Sequence, residues 1–279
     1  MNRYRAIAAL RKTAAALWVS AAFVFLFAPL VVVVGASFDG GERTFLSFPP
    51  RELSLHWYGR IDPDLFQALG LSILLGTITA TLACLVGVPA AMGLVRAQFP
   101  GKALVAAAFR APLQIPAVVI GVSFLKLFYL VGDVTGVYIV GTLPGLVVAH
   151  TFLATPYVIG SVSAVLLRFN SRLEEAALSL GASRWRTLRR VTLPVIMPGI
   201  YTGAMYAFLV SFGDVPVALF LGGSGMQPFA AKIFHLMEFD FDPSLLAIST
   251  FIIAGSLAAI YLLQRAVGLE ELGRSGGAN

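Results

Sequence analysis

The sequence predicts an all-α integral membrane protein with six transmembrane helices and one long basic loop between the fourth and fifth. Three observations carry that prediction. Only 12% of the 279 residues are charged and 58% are hydrophobic, whereas a soluble domain has about 25% charged residues. Six apolar runs are long enough to cross the ~30 Å hydrocarbon core of a bilayer. The 20 Lys and Arg residues collect in alternate loops, which is a topology signal. That placement explains the net charge of +6. No aromatic–basic interleaving of the kind that binds single strands is present, so nucleic acid is not an expected partner. The single cysteine, Cys84, lies in an apolar run and has no intrachain thiol to pair with.

Arg3, Arg5, Arg11 and Lys12 precede the first apolar run, residues 14–36. The run exceeds the ~7–15 residues of a signal-peptide core, so it reads as an uncleaved spanning helix. At 1.5 Å per residue it covers about 35 Å. A polar outer segment, 37–63, carries Pro49, Pro50, Trp57 and Tyr58, aromatic residues that suit a membrane interface. The second span, 65–95, contains Gly76, Gly87 and Pro89, which membrane helices tolerate when neighbours satisfy the backbone. The third is expected over 103–130, kinked at Pro112 and Pro116 because each proline removes a backbone donor. The fourth covers 143–167, the fifth 195–221 and the sixth 244–267. The domain reading is an N-terminal part (1–64), a five-helix core (65–267) containing the basic loop 168–198, and a short tail (268–279).

Six spans put both termini on one side. Fifteen of the 20 Lys and Arg residues lie on that side together with the loop 168–198. The positive-inside rule therefore places the termini and the loop in the cytoplasm.

Within the loop, Glu174 and Glu175 open a short helix, at whose positive end acidic residues are favourable. Gly181 is expected to stop it in a left-handed C′ geometry, and Ser183 to cap a second helix. That helix carries Trp185, Leu188 and Val191 on one face, and Pro194 marks the start of the fifth span. The result is a helix–turn–helix elbow outside the membrane.

The run Glu175-Ala176-Ala177, Gly181, nine residues, then Val191-Thr192-Leu193-Pro194 resembles the EAA loop of binding-protein-dependent ABC importer permeases. That family's pattern is EAA, three residues, G, nine residues, I-x-L-P; Val191 in place of Ile is the departure. The resemblance covers about residues 65–267 and implies a type I importer permease core in a bacterial inner membrane. It implies that the helix near Glu174 to Leu180 sits in a cleft of a separate ATP-binding subunit, one of a pair. It gives Glu175 the role of facing a basic residue there, with Glu174, Ala176, Ala177, Gly181, Ala182, Ser183, Leu193 and Pro194 completing the docking loop. A second permease subunit, identical or similar, and an extracytoplasmic solute-binding protein are the other implied partners, with lipid around the spans. A plain solvated connector is the competing reading of the loop.

No cofactor is expected. Gly101-Lys102 lacks the upstream glycine and the following Ser or Thr of a phosphate-cradling loop, so ATP hydrolysis belongs to a partner and the chain is not an enzyme by itself. Three scattered histidines make no metal site. An acid inside a span marks a pathway by default. Asp214 is such a residue, with Lys126 and His150 at comparable depth and Phe212 on an aromatic side of span five. Asp214 either lines a path for a cation, or pairs with Lys126 or His150, or caps a helix broken at Pro216. Gly199, Gly203 and Ala207 form a small-residue row for close helix approach, within the chain or between subunits.

Phe48 to Ile61 and the stretches SFGDVPVALFLGG and IFHLMEFDFDPSLLAISTFII resemble the polyamine group of these permeases, which implies spermidine or putrescine as cargo. Importers of phosphonates such as 2-aminoethylphosphonate and of ferric iron are the neighbouring alternatives. A gradient-driven transporter or channel is the alternative of a different class; such proteins show inverted repeats and several buried charges.

Overall fold

The computed structural model describes residues 2–41, 48–223, 225–239 and 242–275, and among them the architecture is helical apart from an isolated bridge between Asp39 and Leu53. The chain divides into two compact units, Met1–Pro63 with Leu236–Asn279, and Asp64–His235. Five helices are long and apolar enough to cross a membrane among the described residues: Arg11–Ala36, Pro63–Arg96, Ala117–Thr135, Leu143–Leu166 and Arg184–Phe212.

In the first unit, helix α1 (Asn2–Ala36) packs against the chain's last helix, Ser244–Ser275. That last helix starts where the sixth span is expected, and its apolar stretch is Ser244–Ala258 among the described residues. Its backbone stays helical to Ser275, beyond residue 267. Along α1, Trp18 and Phe25 are about as open as in an isolated helix, at 79% and 80% exposure. The polar segment after α1 folds back on itself. Gly40 N–H donates to Glu52 O and Ser54 N–H to Phe38 O, both at 2.8 Å. Trp57 Nε1 donates to Asp39 O at 2.9 Å, and Tyr58 OH lies 2.7 Å from Ser37 Oγ. Tyr58 also meets Phe251 edge-on at 5.5 Å. The length of this segment is what lets it return and pin its aromatic residues.

The second unit is built on α2 (Pro63–Arg96), α3 (Lys102–Arg110), α4 (Ala117–Thr135) and α5 (Leu143–Leu166). The expected single kinked span over 103–130 is instead two helices. Pro112 and Pro116 remove two donors in consecutive turns, and Pro116 itself takes ψ 133, which ends helical geometry and makes it the N-cap of α4. The membrane-length helix of this region is therefore α4, and α3, at nine residues, is too short to span.

The elbow follows as α6 (Arg172–Ser179) and α7 (Arg184–Thr187), then a π turn at Leu188–Thr192, α8 (Leu193–Phe212), α9 (Pro216–Leu221) and α10 (Phe229–Phe239). Pro194 does not separate the elbow from span five. Helix α7, the π turn and α8 run on continuously from Arg184 to Phe212. A proline ring clashes with the carbonyl four residues back; a locally widened π turn relieves that clash without stopping the helix. It also changes which residues face inward. The buried positions are Thr187, Thr192, Ile196, Gly199, Gly203, Ala207 and Ser211, a step of five and then steps of four and three, while Trp185 is 68% exposed.

Helix α5 is the centre of the unit, with Leu146, Ala149, His150, Ala154, Val158 and Val162 essentially closed to solvent. Helix α8 packs along it. A Cβ on Gly203 would lie 2.9 Å from Val158 Cα, and one on Gly199 3.0 Å from Ser161 O. The small-residue row thus serves close packing within the chain.

Candidate functional site

Two places carry polar chemistry. The first is the elbow. Helix α6 ends at Ser179 with Leu180 as its C-cap, and Gly181 follows with φ +83. Gly181 N–H donates to Leu178 O at 2.9 Å and Ala182 N–H to Ala177 O at 3.0 Å, the paired bonds of a Schellman stop. Ser183 Oγ accepts the Arg186 N–H at 3.3 Å and so caps α7. The local geometry is what a glycine and a serine two residues apart dictate.

The two glutamates at the head of the elbow differ. Glu174 Oε1 accepts from Arg96 Nη2 at 2.7 Å and also from the Thr192 hydroxyl. Arg96 lies at the end of α2, with its guanidinium 5.7 Å above the Phe169 ring. Glu174 therefore joins α2, α6 and the π turn. Glu175, one residue on, is exposed, and its carboxylate makes no ion pair or hydrogen bond among the described residues. Around it Leu173, Leu178, Leu180 and Trp185 are exposed as well, with Leu180 at 89%. Ala176 and Pro194 are exposed, and Ala177, Ala182 and Leu193 half-buried. An acid among uncovered apolar side chains is a surface suited to a protein partner.

The second place is the end of α8. The expected fifth span, 195–221, is broken at residues 213–215 into α8 and α9. Asp214 lies in the break, and its Oδ2 accepts the Ala218 N–H at 3.1 Å, capping α9. Its side chain is 7% exposed and stands 4.0 Å from His150 Nε2. His150 is fully buried on α5, with Nδ1 3.0 Å from Ser211 Oγ, and Ser211 donates on to Thr79 Oγ1 at 3.3 Å. Three helices, α2, α5 and α8, thus meet through one polar chain beside the break. Lys126, by contrast, is exposed on α4. Phe212 stacks on Phe208 at 5.7 Å, and Phe208 in turn fills the space over Gly76. The aromatic side of span five is in large part helix packing.

Arg96, Thr192, Ser211 and Thr79 complete these arrangements and carry no sequence signal of their own. Arg96 reads as a topology charge, and small hydroxyl residues in a span are unremarkable by composition. The spacings of 78 residues for Arg96–Glu174 and 132 for Thr79–Ser211 are set by the fold, not by a local pattern.

Residues 83–268 match the family described as binding-protein-dependent transport system inner membrane component. The chain is 33% identical over 244 residues to the spermidine/putrescine transport system permease protein PotC of Haemophilus influenzae, across 87% of this chain and 91% of that one. It is 32% identical over 251 residues to the putrescine transport system permease protein PotI of Escherichia coli, across 88% of each. Its fold is shared with a chain in the crystal structure of a bacterial ABC transporter involved in the import of the acidic polysaccharide alginate. There the TM-score is 0.69 at 15% identity, over 92% of this chain and 96% of that one. Fold and matches together define an ABC importer permease, a multi-pass inner-membrane protein related to transport subunits and not to catalytic ones. The chain belongs to the binding-protein-dependent transport system inner membrane component family, in agreement with the resemblance carried by Glu175 to Pro194.

Proposed function

We propose that this chain forms, with a second permease subunit, the translocation path of an ATP-driven polyamine importer. The observation that carries the cargo is the identity of 33% with a spermidine/putrescine permease across most of both chains. A carboxylate held at a helix break inside span five is chemistry suited to a polycation. The uncovered face of the elbow, with Glu175 at its centre, docks a separate ATPase subunit on the cytoplasmic side. A solute-binding protein delivers cargo at the opposite face, and the exposed length of α1 is covered by lipid or the second permease.

The test has two arms. Uptake of labelled putrescine and spermidine is measured in cells that lack their own polyamine importers, with and without this chain and its companion genes. Uptake that depends on the chain supports the cargo; uptake of aminoalkylphosphonate or ferric iron instead, with none of polyamine, replaces it. In the second arm the tagged chain is purified as wild type and as Glu175→Arg. An ATPase subunit that accompanies the wild type and is lost from the variant supports the docking face. Gradient-driven uptake by the chain alone would overturn the importer mechanism.

A further inference from the structure

The arginines at the head of span five have no acid to meet. From Ala176 to Gly213 the sequence holds no Asp or Glu, yet it holds Arg184, Arg186, Arg189 and Arg190. All four are exposed, and none makes an ion pair or a side-chain hydrogen bond among the described residues. The packing of α5 on α8 fixes how far each stands from the hydrocarbon. A Cβ on Gly199 would lie 3.0 Å from Ser161 O, and one on Gly203 2.9 Å from Val158 Cα, so the two helices run antiparallel. Helix α5 ends at Leu166, five residues past Ser161, and Arg168 is the first charge after it. Five residues back from Gly199 is Pro194, which therefore stands level with that end. Arg190 and Arg189 follow one turn further out, at about 6–8 Å for a rise of 1.5 Å per residue. The headgroup layer is about 5–7 Å deep on each side of the hydrocarbon, so both guanidinium groups are within its reach. Arg186 and Arg184, at about 12 and 15 Å by the same count, lie beyond it.

We propose that Arg189 and Arg190 hold the phosphate of an anionic phospholipid in the cytoplasmic leaflet. A guanidinium keeps its charge and can meet two phosphate oxygens at once. The surface below the pair fits the rest of the same molecule. Pro194, Pro198 and Tyr201 fall at i+4, i+8 and i+11 from Arg190, share its side of the helix and are exposed. They form an uncovered strip that leads into the hydrocarbon, and an acyl chain packs along it. Thr187 and Thr192 are buried on the opposite side. The π turn is therefore held by the chain on one flank and by lipid on the other, which fixes the depth at which the elbow meets span five. The inference uses the cytoplasmic placement of the elbow and is independent of the cargo.

The full-length chain in detergent is offered equal amounts of phosphatidylglycerol and phosphatidylcholine, and the lipids that stay bound are counted by native mass spectrometry. The wild type keeps phosphatidylglycerol in preference. Arg189→Gln with Arg190→Gln lowers that preference about 25-fold, at about fivefold for each arginine beside an anionic headgroup. Arg184→Gln with Arg186→Gln removes the same charge further out and leaves the preference as it was. Arg189→Lys with Arg190→Lys keeps both charges and restores most of it, which a folding defect would not do. Equal losses in the two glutamine variants would mean that net charge alone attracts the lipid, and the site is then overturned. Equal retention of the two lipids by the wild type overturns it as well. If inorganic phosphate at the same concentration displaces the lipid, the occupant is a free anion and the lipid proposal fails. In a parallel purification with the companion subunits, the glutamine variant at 189 and 190 retains the ATPase subunit. Loss of that subunit with lipid retention unchanged would assign the pair to the protein partner instead.

Discussion

At the scale of single residues, neighbours in the sequence do different jobs. Glu174 and Glu175 are both acids at the head of α6, yet one is engaged inside the chain and the other is open. Glu174→Gln keeps an acceptor for Thr192 and removes the charge that faces Arg96. The expected outcome is that the ATPase subunit still co-purifies while uptake per ATP hydrolysed falls, because the elbow is no longer tied to α2. The charge exchange Arg96→Glu with Glu174→Arg restores coupling in part, which a purely structural defect would not show. Gly181 has a different logic. A Cβ there would meet nothing within 4 Å, so only its φ of +83 resists substitution. Gly181→Ala therefore costs about 1 kcal/mol of local stability. That is about a fivefold faster amide exchange across 172–182, readable by hydrogen–deuterium exchange.

Elements are held together by close approach of small residues, and there the sign of a substitution depends on what the added methyl meets. On Gly203 it would meet the backbone of Val158 at 2.9 Å. Gly203→Ala should destabilise the chain by about 1–3 kcal/mol through overpacking between α5 and α8. Gly160→Ala, with open space around it, should be neutral or slightly stabilising in a helix. Melting of the two variants side by side in one detergent checks the contrast; equal losses would remove the packing argument. This scale also shows what the sequence made legible. Helix starts at Leu143 and Ser244, the glycine stop at 181 and the serine cap at 183 follow from local chemistry and agree with the structure. The division of the third span at Pro116 and the unbroken passage through Pro194 do not. A proline states that a donor is missing; whether the chain then breaks, kinks or widens into a π turn is decided by what packs around it. The pair Arg96–Glu174 was out of reach for the same reason, and His150 could be offered to Asp214 only beside Lys126 and a capping role: local periodicity gives the face of a helix and not its partner across the bundle.

For the whole molecule, the distribution of charge and the state of the elbow make one joint prediction. The positive-inside rule puts the elbow in the cytoplasm and the segment around Glu52 outside. The chain has one cysteine, so Cys84→Ser gives a clean background for site-directed labelling. In that background Glu52→Cys should react with a membrane-impermeant maleimide in intact spheroplasts, and Ser179→Cys only after permeabilisation. The reverse pattern would invert the topology and with it the docking reading. Residue 179 is exposed on α6 in the isolated chain. Once the spheroplasts are opened, its labelling therefore reports whether something covers the elbow. With an ATPase docked, Ser179→Cys should label slowly, and adding Glu175→Arg should speed it up while leaving the reaction at position 52 unchanged. Fast labelling in both backgrounds would mean that the apolar face beside Glu175 is bare in the assembled transporter. The energy of ATP would then have to enter the permease elsewhere.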